Sequence, residues 1–312
     1  MAQKRILIIG SANMDLSLNV YRVPAPGQTV IDDGGVAYTP GGKGANAAVA
    51  FSRLGADTVL AARLGADAHG HQLYEYYKNE GIDTSYIKVD RDFPTGFSVV
   101  MKESNGENRI IVYPGANGRM STESMVEAFS SAPDALFLGF EIGFESALCA
   151  ARIAESKNIP IFIDAAPADK RFPLEKLPYC EIFSPNETET FEYTGIMPAG
   201  ADSSLKAALA LYKRVKCKYV VIKQGERGAS LYDGKRFYMV PSERVERVVD
   251  TTAAGDTFSA AMTLEYLRSS DIKSAIRYGA AAAAITVSRE GASSSIPTLE
   301  EVIRFVGGGR RQ

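Results

Sequence analysis

The sequence predicts an α/β protein, a three-layer Rossmann-like arrangement in which a mostly parallel sheet is flanked by helices and carries a small inserted β-sheet lid. Two observations predict the core. Short apolar runs ending in Gly, Pro or a polar turn ("DTVLAARLG", "PDALFLGF", "IPIFIDAAP", "EIFSPN", "KYVVIKQG") have the length and continuous hydrophobicity of buried strands. Between them lie helix-like stretches ("KGANAAVAFSRLG", "GHQLYEYYKNEG", "ESALCAARIAESKN", "SLKAALALYKRV"), and βα alternation of this kind builds a parallel sheet with helices on both faces. A third observation predicts the lid. Residues 16–40 and 95–113 break the alternation with half-polar patterning, and "NGEN" in the second is a hairpin signal. Pairing the two gives a lid formed by about residues 14–40 and 95–115, inserted in a single domain spanning residues 1–312.

Composition excludes several classes. Among 312 residues, 46% are hydrophobic and 23% charged, the profile of an ordinary globular protein long enough for a large core. A formal net charge of −2, with no basic cluster larger than pairs such as Lys4-Arg5 and the tail Arg310-Arg311, predicts no nucleic acid and no membrane partner. Cys149, Cys180 and Cys217 are scattered and odd in number, which reads as reduced thiols in a cytoplasmic protein. The only histidines, His69 and His71, lack a third metal ligand nearby and make Ser-His-Asp hydrolysis improbable. The run Ile6 to Ile9 is too short for a signal peptide and reads as a first buried strand ending at Gly10.

Chemistry-bearing residues fall at the expected ends of strands, where open α/β sheets bind ligands. After the first strand, "GSANMD" places polar side chains where a dinucleotide fingerprint needs glycines. "PGGKGANAA" is not a P-loop, because Ala37 and Gly44 stand where that motif needs Gly and Ser or Thr. What the two stretches offer is an acceptor, Asp15, with donors Asn13, Lys43 and Asn46 around a pliable backbone at Gly41, Gly42 and Gly44. That set suits a polyhydroxylated ligand of sugar size; singly, the same residues are also a cap, a turn acid and a surface lysine. Asn186 and Glu189 in "SPNETET" form a helix start, or face a phosphate and Mg²⁺ through water. "KQGERGA" is a tight turn or one wall of a nucleotide pocket.

"VVDTTAAGDTFSAA" is the most informative stretch: a strand-like run stops at Asp250 and a helix follows. The nearly bare backbone of Ala253, Ala254 and Gly255 at a helix N-terminus suits an anion, and Asp256 lies in the same turn. A capping Asp explains the acid; so does a general base beside a transferring phosphoryl group. The Ala-rich "GAAAAAIT" fits a helix packed closely on a neighbour, and "VSREGASSSIP" ends it in carbonyls that, with Asp250 and Ser295, suit a cation.

Taken together, these stretches resemble the ribokinase-like carbohydrate kinase family over essentially the whole chain. "GSANMD" and "GGKGAN" are similar to its sugar-binding signature and "DTTAAGDTF" to its C-terminal one, with "SPNETE" and "KQGERGA" in order between them. The resemblance implies ATP-dependent phosphorylation of a sugar's terminal hydroxyl, D-ribose at its 5-hydroxyl first, with 2-deoxyribose, another pentose or a nucleoside as alternatives. It implies sugar contacts from Asn13, Asp15, Gly41, Gly42, Lys43, Asn46 and Glu141, and an anion hole of Ala253, Ala254 and Gly255 with Asp256 as base. Asn186, Lys223, Gly225 and Gly228 would meet ATP together with Gly255, and Ala280 stands where relatives often carry Asn or His beside the adenine. Ala47 likewise replaces a common Gln. The resemblance also implies Mg²⁺ near Glu189 through water and an activating K⁺ held by Asp250, Thr252, Thr286, Arg289, Gly291 and Ser295. A homodimer through the lid is implied as well. Two other classes are weaker: a sugar-binding regulator would not need Asp256 beside Ala253–Gly255, and an NAD-dependent oxidoreductase would need the missing glycines.

Overall fold

The run predicted as the first strand, Arg5–Ile9, is buried on both faces: Ile6 and Ile8 pack into one core, Leu7 and Ile9 into another. Alternate side chains of a strand point to opposite faces, so a run apolar at every position belongs between two helical layers. The same division continues through the neighbouring strands, with Phe137, Phe162 and Val221 on one face and Leu138, Ile163 and Val220 on the other. The computed structural model describes residues 3–31, 34–103 and 108–308. The first three residues of "NGEN", 105–107, the acidic pair Asp32-Asp33 and the tail Arg310-Arg311 lie outside the described residues.

The large sheet has eight strands in the spatial order Phe237–Val240, Ala229–Tyr232, Cys217–Lys223, Cys180–Ser184, Ile161–Asp164, Ala135–Leu138, Arg5–Ile9 and Asp57–Ala61. The six from Cys217–Lys223 onward are parallel, and the first two close that edge as an antiparallel hairpin. Helices Lys43–Arg53, Ala254–Ser269 and Ile272–Val287 cover the Ile6 face, and Thr122–Ala128, Phe144–Ser156 and Ala201–Arg214 cover the other. The Ala-rich stretch does form a closely packed helix, Ile272–Val287, against Ala254–Ser269. Among the described residues, no helix is long and apolar enough to cross a membrane.

The chain leaves the large sheet at Gly10 and, three residues later, re-enters order as Asn13–Val20, an inner strand of a second sheet. That four-stranded sheet has the order Val36–Gly41, Asn13–Val20, Gly96–Glu103, Asn108–Tyr113. Its two inner strands are parallel, and each outer strand is antiparallel to its neighbour. The pairing expected between the two irregular segments is therefore present.

Two sequence readings need correction. "DTVLAARLG" is two strands, because after Ala61 the chain changes partner and Arg63–Gly65 pairs with Lys88–Asp90. The run before Asp250 is not a strand. Val248 and Val249 are exposed, and the Val249 and Asp250 amides donate to the Val287 carbonyl at the end of a helix instead of joining a ladder.

Helix Lys43–Arg53 approaches the first strand's exit so closely that a Cβ on Gly44 would lie 2.6 Å from Gly10 Cα, backbone against backbone. Gly44→Ala must part the helix from the strand, so urea unfolding should show a loss of about 1–3 kcal/mol; an unchanged midpoint would disprove this contact.

Candidate active site

At the carboxyl end of the parallel strands, the N-terminus of helix Ala254–Ser269 meets the N-terminus of helix Lys43–Arg53. Asp256, in the first turn of the former and 6% exposed, accepts from Asn46 Nδ2 at 2.9 Å and lies 3.9 Å from Lys43 Nζ. Burial pushes the Asp256 carboxyl up, and the Lys43 ammonium and the Asn46 amide oppose that rise. Conversely, the Asp256 carboxylate holds the Lys43 ammonium above its ordinary range. A partly desolvated carboxylate of raised basicity, fixed by one amide, has the properties of a general base.

The residues expected on the sugar side converge here. Glu141 accepts from the Lys43 backbone amide at 2.9 Å and from the Ser11 hydroxyl, tying the loop after strand Ala135–Leu138 to both glycine-containing stretches. Asn13 is buried, its Oδ1 accepting from Asn117 Nδ2 at 2.7 Å, while Asn117 Oδ1 takes the Ala12 amide at 2.9 Å. Asp15 is bonded by the Ser98 hydroxyl of the adjacent small-sheet strand. Gly41, which pairs near it, lacks a Cβ that would overlap the Asp15 carboxylate, and Gly42 at φ 89° turns the chain into the helix. Desolvation drives the Asp15 carboxyl up to about 6, the Ser98 bond opposing and the charges of Glu141 and Asp256 adding.

On the other side, Asn186 caps helix Glu187–Thr194 in a full capping box with Glu189, whose carboxyl burial pushes up. The cap expected as the alternative is thus present, beside the strand end: the Lys223 amide donates to the Pro185 carbonyl. Lys223 turns inward, its Nζ 2.6 Å from Asp164 Oδ2 and 3.1 Å from Ser259 Oγ. A Cβ on Gly255 would lie 3.8 Å from the same ammonium, so Lys223 reaches the Ala253–Gly255 turn. Gly225 and Gly228, both at positive φ, shape the loop that follows, and Ala280 is buried on helix Ile272–Val287.

Ala253 sits at the helix N-cap with φ 61°, a left-handed conformation uncommon for a residue with a Cβ. Upstream, Asp250 Oδ1 accepts from the Thr252 amide at 2.9 Å and hydroxyl at 2.6 Å, and Oδ2 takes Lys102 Nζ at 2.6 Å. Of the other residues expected there, the Gly291 amide donates to Asp250 Oδ2 at 3.3 Å, while the hydroxyls of Thr286 and Ser295 donate to the Ala282 and Ala292 carbonyls and the Arg289 side chain points to Glu301 at 2.6 Å. Reading the sequence missed Asp164, Ser259, Ser98, Asn117, Ser11 and Lys102. Asp164 alone carried a signal, as the last residue of a parallel strand; the others are brought in by tertiary pairing.

Fold and site together define a phosphoryl-transfer enzyme: an α/β sheet whose carboxyl edge presents a helix N-terminus, a buried carboxylate and two lysines. The model of the pfkB family of carbohydrate kinases matches residues 3–299. Ribokinase of Haemophilus influenzae is 34% identical over 97% of this chain and 99% of its own, and that of Staphylococcus aureus 34% over 96% and 98%. The structure of Arabidopsis thaliana ribokinase complexed with ribose and ATP superposes with a TM-score of 0.85 at 31% identity, covering 98% of this chain and 99% of the other. The chain belongs to the pfkB family of carbohydrate kinases and is an ATP-dependent sugar kinase.

Because the folded protein holds the Asp15 proton more tightly than the unfolded chain does, this group stabilises the fold fully below about pH 4 and loses that contribution as pH rises through about 6. The displacement corresponds to about 3 kcal/mol at most. Asp15→Asn should therefore unfold about 1–3 kcal/mol later than the parent at pH 8 and equally at pH 4, while losing sugar affinity. Equal urea midpoints at both pH values would contradict it.

Proposed function

We propose that this chain transfers the γ-phosphoryl group of ATP to the 5-hydroxyl of D-ribose, with Asp256 as general base and the Ala253–Gly255 amides as anion hole. The observation that carries this reading is the placement of Asp256, held by Asn46 and Lys43 in the first turn of a helix whose N-terminus has no side-chain cap. The likeness to ribokinases over nearly the whole chain supports ribose as the sugar.

In this mechanism Asp15, Asn13, Lys43, Asn46 and Glu141 bind the sugar's hydroxyls, with Gly41 and Gly42 leaving room. Asp256 accepts the 5-hydroxyl proton as that oxygen attacks phosphorus, and the amides of Ala253, Ala254 and Gly255 donate to the phosphoryl oxygens. The Lys223 ammonium, held by Asp164, adds positive charge beside Gly255. Asn186 and the loop with Gly225 and Gly228 line the nucleotide. Two carboxylates fit a divalent ion: Glu189 is buried, and the buried Asp164 Oδ1 has no hydrogen-bond partner among the described residues. Asp164 and Glu189 would hold Mg²⁺ there through water, and the ion would supply positive charge to the phosphates.

The small sheet acts as a lid within one domain, excluding water from the transferring group. Its outer strand Asn108–Tyr113 leaves Ile110, Ile111, Val112 and Tyr113 exposed, which supports a homodimer joined through this sheet. The free cysteines agree with a cytoplasmic location.

Assays of ADP formation against pentoses, hexoses and nucleosides test the substrate; preference for a sugar other than ribose would move the specificity and keep the mechanism. Asp256→Asn should lower kcat about 10³-fold with ribose affinity nearly unchanged, and near-normal turnover would remove Asp256 as the base. Sedimentation should give a dimer for the parent and a monomer for Ile111→Lys; a monomeric parent refutes the dimer.

A further inference from the structure

We propose that Lys102, reaching out from the small sheet, supplies the positive charge that the Asp250 site would otherwise take from a monovalent cation, so that this kinase works without K⁺. The inference rests on the phosphoryl-transfer reading of Asp256 and its neighbouring turn.

A site for an alkali ion needs carboxylate, hydroxyl and carbonyl oxygens turned inward with lone pairs free. At Asp250 both carboxylate oxygens already accept two donors each, and the hydroxyls of Thr252, Thr286 and Ser295 are each oriented as donors to a neighbouring oxygen. Asp250 Oδ1 takes both Thr252 donors, and Oδ2 takes Lys102 Nζ at 2.6 Å and the Gly291 amide at 3.3 Å. The Ser295 and Thr286 hydroxyls donate to the carbonyls of Ala292 and Ala282, and the Thr286 carbonyl accepts the Arg289 amide. An ammonium group carries the same charge as K⁺ and is of similar size, so the position already holds its cation.

The pair is well protected: the Asp250 side chain is 6% exposed and that of Lys102 27%. Burial alone would push the Asp250 carboxyl up, and the bonds from Lys102 and Thr252 reverse that and leave it below its ordinary range. Both residues line a cavity of about 420 Å³ between the small sheet and the 290–294 loop, which Asp15 also lines. Lys102 lies on strand Gly96–Glu103, whose register places Ser98, the partner of Asp15, four residues earlier. One strand thus bonds the sugar-side carboxylate and the carboxylate that begins the anion-binding turn.

Lys102 is therefore a positioning residue: it acts through Asp250 and Thr252 on the turn that ends at Ala253, and touches no reacting atom. A tethered cation is present at high local concentration whatever the salt outside. It also reaches Asp250 only from the small sheet, so the charge arrives with that sheet.

The test measures turnover and melting temperature of the whole protein and of Lys102→Met in KCl, NH₄Cl and choline chloride at equal ionic strength. The parent should change less than about twofold between choline and K⁺, and its Tm should not follow K⁺. In choline the variant should lose about tenfold or more in kcat. K⁺ or NH₄⁺ should restore most of that loss and raise the variant's Tm, a rescue that a purely structural role would not show. Several-fold stimulation of the parent by K⁺ overturns the inference, as does a variant that stays fast in choline or stays slow in K⁺. If the variant does not fold, the parent's salt series alone decides. Should no sugar be phosphorylated in any salt, the substrate reading fails, while the Tm series still judges Lys102.

Discussion

Two ammonium groups set the conditions for everything at the carboxyl edge of the large sheet. Lys43 offsets the charge of the buried Asp256, and its backbone amide holds Glu141; Lys223 is bonded to Asp164 beneath the same helix turn. Without them, four or five carboxylates would crowd a region of low dielectric, where unpaired charge is costly. The glycines and alanines around the site follow from the same need, since short side chains let backbone amides reach the negative groups. The αL conformation of Ala253 falls at the same place: local strain is kept at the turn proposed to receive the phosphoryl group.

The parallel topology delivers these groups without long loops. Strands Ala135–Leu138, Ile161–Asp164, Cys180–Ser184 and Cys217–Lys223 end on the same side, and their exits bear Glu141, Asp164, Asn186 and Lys223. The first strand does something different. It crosses from one sheet to the other within three residues, so Asn13 and Asp15 stand on the small sheet while Ser11 is tied to Glu141 on the large one. The residues proposed to bind the sugar are thus shared between two sheets.

Much of this could be read from the residues alone. The strand–helix alternation was legible because strands covered on both faces are apolar throughout, and the small sheet because its strands are not. Asp256, Lys43 and Asn46 were legible because they are polar residues set among glycines and alanines at the starts of helices that follow strand-like or glycine-rich stretches. Ser98, Asn117 and Lys102 were not, because each lies in an ordinary-looking strand or turn and gains meaning only from a partner 83, 104 or 148 residues away. Val248-Val249 misled for a related reason: two β-branched residues promise a strand, but backbone bonds to the end of a helix hold them in the open.

The buried Asp15 carboxylate has a consequence outside catalysis. An empty protein that keeps such a group away from water gives up part of its folding free energy, and a ligand that supplies hydroxyl donors returns it. Binding to the native state alone also shifts the folding equilibrium by mass action. The lifetime of this chain in a cell, set by how often it opens to proteases, therefore lengthens when its ligand is plentiful and shortens when it is scarce.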